Sequence, residues 1–476
     1  MAVTAARERD GGTGSSSSRL KRVAEVVWEI PRQGDMRVPA RVFADDRLIE
    51  ELRDDRALEQ LANVATLPGI VDAALAMPDM HQGYGFPVGG VAATLPPDGV
   101  VSPGGVGYDI NCGVRLLALP LDADELGDRK ERLVHAISRE VPVGRRGHGG
   151  ISMRPGDLDA VLREGPRALV ERGIGTPDDA ERTESRGRLE DADPEQISDR
   201  ARERGTDQLG TIGSGNHFIE LGRAAKIFDR ERARALGVAE GQVTALIHSG
   251  SRGLGHQVCT DFVRAMDGAL ARHQITLPDR QLACAPLGSP EGRAYLGAMA
   301  GAANFAFANR HAIAAGVRRA TAQVLGDEVA RGTRQIYDVA HNIAKLEVHG
   351  GQEVCVHRKG ATRAFPEQPV FIPGSMGTGS YVLVGRPEAS ERSFGTVCHG
   401  AGRQLSRTAA RKRIGGAELR RELEGRGITV RCPSNRGLAE EAPFAYKDID
   451  HVVEVVERAG LASRVALLRP LGVIKG

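Results

Sequence analysis

Aromatic residues are scarce in this 476-residue chain, which has one tryptophan, six tyrosines and eleven phenylalanines. No aromatic RNP-like motif and no basic stripe occur, so a simple RNA-binding module has little support. Charge of one sign is also lacking, since 64 basic residues face 62 acidic ones. A nucleic-acid partner would have to meet a local basic surface, because the whole chain supplies no strong field. The six cysteines form no C-x-x-C pair, which argues for reduced thiols and against a disulfide framework. No apolar run approaches the roughly 18 residues of a membrane helix, and the first residues lack a signal-peptide core. These absences predict a soluble, untargeted, cytoplasmic protein with no membrane partner. Absent motifs narrow the chemistry further. There is no G-x-x-x-x-G-K-[ST] phosphate loop, no G-x-G-x-x-G dinucleotide fingerprint, no H-E-x-x-H and no G-x-S-x-G. The K-x-D-G signature of lysine-dependent nucleotidyl transfer is missing as well.

Glycine, by contrast, is abundant: 60 residues, about one in eight, where roughly 7% is usual. No Gly-X-Y period accompanies it, so its cause must be local. Residues 1–20 are rich in Gly and Ser and predict a disordered tail, leaving 21–476 as a single catalytic domain. Helical spacing runs over 124–139 and 160–172. The alanine-rich stretch 295–319 reads as a packed core helix. Residues 176–205 are dense in charge and read as a solvated helix pair or a surface excursion, without chemistry. Short β-branched runs at 243–247, 354–357, 370–372 and 381–384 read as strands. Strands and helices without regular βαβ alternation predict a complex α+β domain of mixed sheets with surrounding helices.

The glycines gather into blocks, and nearly every block holds a histidine, cysteine or aspartate. These are MPDMHQGYGFPVGG from Met77, VSPGGVGYDINCG from Val101, GTIGSGNHFIE from Gly210, IHSGSRGLGH from Ile247, PGSMGTGSY from Pro373 and CHGAGR from Cys398. Asp109 and Cys112 are three apart in D-I-N-C. His217 lies in G-S-G-N-H-F, His248 ends A-L-I-H, and His341 lies in Y-D-V-A-H-N. One carboxylate, one thiolate and three imidazoles suffice for one metal ion, or for two if the thiolate bridges. On donor types alone, zinc or iron would come before manganese. PGSMGTGSY is either a phosphate cradle, with hydroxyls from Ser375 and Ser380, or a tight structural turn. His399, flanked by small residues and near Arg403, is either a nucleophile toward phosphorus or one more ligand.

In order along the chain, D-I-N-C-G-V-R, G-S-G-N-H-F, H-S-G-S-R-G, D-V-A-H-N, H-R-K-G-A-T-R, P-G-S-M-G-T and H-G-A-G-R resemble the RtcB family of RNA ligases. The stretch RLEDADPEQISDRARERGTDQLG resembles that family's longer, archaeal and eukaryotic-like branch. The resemblance runs from about Val23 to Gly476. It implies joining of an RNA 3′-phosphate or 2′,3′-cyclic phosphate to a 5′-hydroxyl, as in tRNA splicing or RNA repair, with GTP and two Mn2+ ions. It implies His399 as the residue that accepts GMP. Asp109, Cys112 and His217 would hold one manganese, and Cys112, His248 and His341 the other. The nucleotide would meet Asn216, His217, Phe218, Glu220, His341, Asn342, Pro373, Gly374, Ser375, Met376, Ser380, Gly400, Ala401, Gly402, Tyr446 and Lys475. An archease-type activator is a further family expectation. His81 fits the family motif and is expected to serve through a hydrogen bond behind the site. The competing functional reading is a dinuclear-metal phosphoesterase that acts on RNA ends without guanylylation.

Overall fold

Two large sheets carry the architecture in the computed structural model, which describes residues 20–53, 55–144 and 151–476. The tail expected over 1–20 falls, apart from Leu20, outside the described residues. The first sheet orders its strands Lys21–Ala24, Val27–Ile30, Ala40–Phe43, Ala74–His81, Val88–Thr94, Gln352–Lys359 and Asn342–His349. The second orders them Arg334–Ala340, Gly113–Asp122, Gln242–Ser249, Phe218–Ile227, Ala462–Lys475, Ser380–Gly385 and Pro369–Ile372. A further strand, Thr429–Arg431, joins Ala462–Lys475 in parallel. The four β-branched runs picked out in the sequence all lie within observed strands.

Alternation along the strands of the second sheet explains its layering. Leu117, Leu119, Val243, Ala245, Ile247, Ile219 and Leu221 pack on Ile313 and Val317 of the long helix and on Leu133, Val134 and Ile137. Val114, Leu116, Ala118, Phe218 and Leu246 face the opposite way, toward Leu419, Leu423 and Leu438. Both faces are therefore covered by helices. The alanine-rich stretch forms the middle of one helix, Pro290–Leu325, started by Ser289, whose side chain accepts from the Gly292 amide. Its small residues let it lie close to the sheet. An α+β domain is what the chain builds.

Three local expectations change. The first predicted helix forms as Arg129–Glu140 after a short 3-10 turn at Ala123–Glu125. The second is two helices, Pro155–Glu164 and Pro166–Val170, broken at Gly165. Gly165 has φ +58, and a Cβ there would strike the Gly187 carbonyl, while Pro166 lacks the N–H a continuous helix would need. The charge-dense stretch 176–205 is not merely solvated. Asp179 is buried against Arg318 at 2.6 Å, and Glu184 is buried against Lys345 at 2.5 Å. Among the described residues no helix is long and apolar enough to cross a membrane.

Candidate active site

Registered strand ends bring the predicted ligands together. Ala340 pairs with Gly113, Gly113 with Ser249, and His248 with Phe218, which in turn pairs with Lys475. Five adjacent strands thus finish at one edge of the second sheet. Cys112 and His217 stand immediately before their strands, His248 is the last residue but one of its strand, Lys475 ends its own, and His341 follows Ala340. His341 is also the single residue through which the chain leaves the second sheet and enters the first. Its amide donates to the Cys112 carbonyl at 2.9 Å, and its carbonyl accepts from the Ala361 amide at 3.0 Å.

The five metal-ligand candidates form two sets that share the thiol, and in each set the donor atoms all lie within 4.8 Å of one another. One set is Asp109, Cys112 and His217; the other is Cys112, His248 and His341. His217 Nε2 lies 2.7 Å from Asp109 Oδ2, and both His217 Nε2 and His248 Nε2 lie 3.3 Å from Cys112 Sγ. His248 Nε2 and His341 Nε2 face each other at 3.3 Å. Burial drives both of these imidazoles well below their ordinary pKa, so they are neutral and free to ligate. Burial, then the Asp109 carboxylate, drives the Cys112 thiol well above its own. A cation at the cluster would invert that balance and hold the thiolate. One carboxylate, one thiol and three imidazoles packed this closely fit two divalent cations. Glycine makes room for them, since a Cβ at Gly250 would strike the Asp109 carboxylate and one at Gly213 would strike His217.

His399 stands on the other side of His341, with ring centroids 5.0 Å apart. Its Nδ1–H donates to Asp79 Oδ2 at 2.6 Å, and its backbone amide donates to the same oxygen at 3.0 Å. The Asp79 side chain is fully buried. That carboxylate fixes the tautomer and leaves the lone pair on Nε2, which is how an orienting acid prepares a histidine nucleophile. Asp79 belongs to the glycine block from Met77, where sequence reasoning noted His81 and passed over the acid. His81 itself hydrogen-bonds through Nδ1 to the Asp79 carbonyl at 3.0 Å. Burial pushes its imidazole down to about 4.

A cavity of about 270 Å³ opens over these groups. Asn216, Phe218, His341, Asn342, Pro373, Gly374, Ser375, Met376, Gly400, Ala401, Gly402, Tyr446 and Lys475 line it, together with Asp109, Cys112, His248 and His399. His217, Glu220 and Ser380 stand outside this lining. His217 faces a neighbouring groove. The Ser380 hydroxyl is turned toward Glu220 at 3.4 Å and accepts from the Gly374 amide at 3.2 Å. With the Ser375 amide bonded to the Thr378 hydroxyl at 2.8 Å, the loop after Pro373 holds its own shape. Burial pushes the Glu220 carboxyl up to about 8, a rise that the Ser380 hydrogen bond only partly offsets. Tyr446 lies under the Arg403 guanidinium, 5.0 Å from its ring centre, and both bond to Glu441.

Two further features escaped sequence reasoning. Lys359, in H-R-K-G, lines the cavity, and burial pushes its ammonium down to about 7. Beneath the cluster, Arg310 of the long helix is wholly buried and donates to the Asn111 carbonyl at 2.7 Å and the Ser249 carbonyl at 2.9 Å. It shares Asp338 with Arg115, at 2.8 and 2.7 Å. One guanidinium therefore ties together three of the chain segments that carry the ligands.

A sequence model of the RtcB family, described as tRNA-splicing ligase RtcB, matches residues 60–476. The chain is 50% identical to the tRNA-splicing ligase RtcB of Thermococcus kodakarensis, over 96% of this chain and 99% of that protein. The same name and 50% identity hold for the relative from Archaeoglobus fulgidus, with the same coverage. The RNA-splicing ligase RtcB of Mycobacterium tuberculosis is also 50% identical, over 88% of this chain and the whole of that protein.

Proposed function

This chain belongs to the RtcB tRNA-splicing ligase family, and we propose that it seals RNA 3′-phosphate or 2′,3′-cyclic phosphate ends to 5′-hydroxyl ends, using GTP and manganese, in the cytoplasm. The observation that carries the reading is His399, held by a buried carboxylate so that its bare nitrogen faces the cavity beside the two donor sets.

His399 Nε2 attacks the α-phosphorus of GTP. A P–N bond forms, the bond from that phosphorus to the bridging oxygen breaks, and pyrophosphate leaves with the electron pair. Asp79 keeps the Nδ1 proton in place and stabilises the positive charge that develops on the ring. The RNA 3′-phosphate then takes GMP from His399, and attack by the 5′-hydroxyl displaces GMP and closes the phosphodiester. A cyclic phosphate is first opened by water to the 3′-phosphate. Asp109, Cys112 and His217 would hold one manganese ion, and Cys112, His248 and His341 the second. Bound there, the ions supply Lewis acidity and charge neutralisation to phosphate oxygens. Lys475 and Arg403 add positive charge around the same cavity.

Incubating the protein with α-labelled GTP and manganese tests the reading. Label that survives denaturation, and is lost in His399→Ala, is the expected result. An unlabelled wild type that still opened cyclic phosphates would instead make the protein a phosphoesterase of RNA ends.

A further inference from the structure

A carboxylate repels a triphosphate, yet the cavity over His399 has one that belongs to neither donor set. Among the described residues that line it, only Asp109 and Glu441 are acids, and Asp109 is a metal-ligand candidate. Glu441 follows the short helix Asn435–Glu440 and is almost wholly buried. Sequence reasoning stopped at Tyr446, five residues on, and passed it over.

Both oxygens of Glu441 are engaged by groups that themselves line the cavity. Oε2 accepts from Arg403 Nη1 at 3.1 Å and from the Tyr446 hydroxyl, and Oε1 accepts from Arg407 Nε at 3.2 Å. Burial alone would raise the pKa of this carboxyl, but the charges of Lys475, Arg403 and Arg407 and the Tyr446 hydrogen bond hold it below the ordinary value. Backbone bonds fix where the acid stands. The Gln404 amide donates to the Ala445 carbonyl at 2.9 Å, and the Lys447 amide donates to the Gly402 carbonyl at 2.9 Å. The segment that carries Glu441 and Tyr446 is thereby docked on the H-G-A-G-R block. Arg403 is tied a second time, to the Glu440 carbonyl at 2.9 Å.

We infer that Glu441 is a positioning residue for nucleotide binding, which touches no substrate and acts by holding Arg403, Arg407 and Tyr446 together as one wall of the cavity, beside Lys475. Cations gathered in a poorly solvated site repel one another, and a buried counter-charge lets them converge. Three cations against one anion still leave two positive charges facing the anionic ligand. Without the carboxylate the two guanidiniums lose their common acceptor, and Arg407, already half-exposed, is free to turn to solvent.

The inference rests on the reading that this cavity takes GTP, and the test keeps the two apart. GTP with manganese is titrated by calorimetry into full-length His399→Ala protein, where no covalent step intervenes. Adding Glu441→Gln, which keeps the shape and removes the charge, weakens that binding by about tenfold or more. Manganese binding without nucleotide stays within about twofold of the parent, because Glu441 orients no metal ligand. Single-turnover labelling with His399 intact shows the same split: half-maximal rate needs about tenfold more GTP, while the rate at saturation stays within about threefold. Arg403→Gln also weakens binding, and the two changes together weaken it by less than the product of their separate effects, since the acid acts through the guanidinium. Should Glu441→Gln fold poorly, Glu441→Asp keeps the charge with a shorter reach and still weakens binding by about threefold. Glu441 variants that bind GTP like their parent, or effects that multiply fully with Arg403→Gln, overturn the assignment. A parent that binds no GTP overturns it as well, together with the reading of the cavity. A wild type that takes no label although its His399→Ala form binds GTP loses the ligation chemistry, and the binding series still decides for or against Glu441.

Discussion

Replacing Arg310 with methionine tests whether the proposed metal ligands are held from beneath. Methionine fills most of the arginine's volume with an adaptable apolar chain, so the packing loss is small. What disappears is specific. The Asn111 and Ser249 carbonyls lose their donors, at 2.7 and 2.9 Å, and Asp338 keeps only Arg115. Each buried carbonyl left unpaired costs about 1–3 kcal/mol, so the expected loss of folding stability is roughly 2–6 kcal/mol. A domain with some 5–15 kcal/mol in hand remains folded under mild conditions. Asn111 precedes Cys112 and Ser249 follows His248, so the same change loosens both donor sets. Groups that orient metal ligands typically contribute about 10- to 100-fold in affinity. Asp338→Asn is the harsher control, because it leaves two wholly buried guanidiniums without their anion. Denaturant unfolding of the metal-free protein and manganese titration by calorimetry read the two effects separately. If Arg310→Met stayed within about 1 kcal/mol of wild type and bound manganese within about twofold of it, Arg310 would be a packing residue only.

Asp79→Asn preserves the size of the residue that orients His399 but removes its charge, and the rate of covalent GMP labelling should fall by about 100-fold or more in a single-turnover assay. A rate within a few-fold of wild type would mean that the 2.6 Å contact serves folding alone. Gly250→Ala drives a Cβ into the Asp109 carboxylate, so metal analysis of the purified protein should find one manganese per chain instead of two. Two full equivalents would show that the space at Gly250 is not needed for metal binding. Glu220 supplies a pH test. Its carboxyl is raised by burial to about 8 from an ordinary value of 4.5, so folding takes up a proton, and stability present at low pH is lost as pH rises between those values. The full span amounts to about 5 kcal/mol. Glu220→Gln should flatten the fall in melting temperature of ligand-free protein between pH 5 and 8.5. Parallel pH profiles for the two proteins would show that Glu220 ionises freely in the folded state.

What was legible in the sequence, and what was not, follows from the range of the interactions. His217 and His248 were readable because each sits beside glycine at one end of a strand, a signal contained within a few residues, and His341 joined them through the motif D-V-A-H-N. Asp79 was not, although it lies in a block already singled out, because its partner His399 is 320 residues away and reaches it only through folding. Range also misled the reading of residues 176–205, where local charge density looks like solvated surface. Asp179 and Glu184 are nevertheless interior, since Arg318 and Lys345, both more than a hundred residues distant, neutralise them there. Arg310 stands in the middle of an alanine-rich core helix, and Asp338 stands three residues before a candidate ligand. A charge that the pattern forces into a core must find a counter-charge, because an unpaired buried ion costs several kcal/mol. Such a charge therefore implies a partner elsewhere in the chain. Asp338 lies on a strand that ends at the site, and its pairing with Arg310 draws the long helix under the proposed metal ligands.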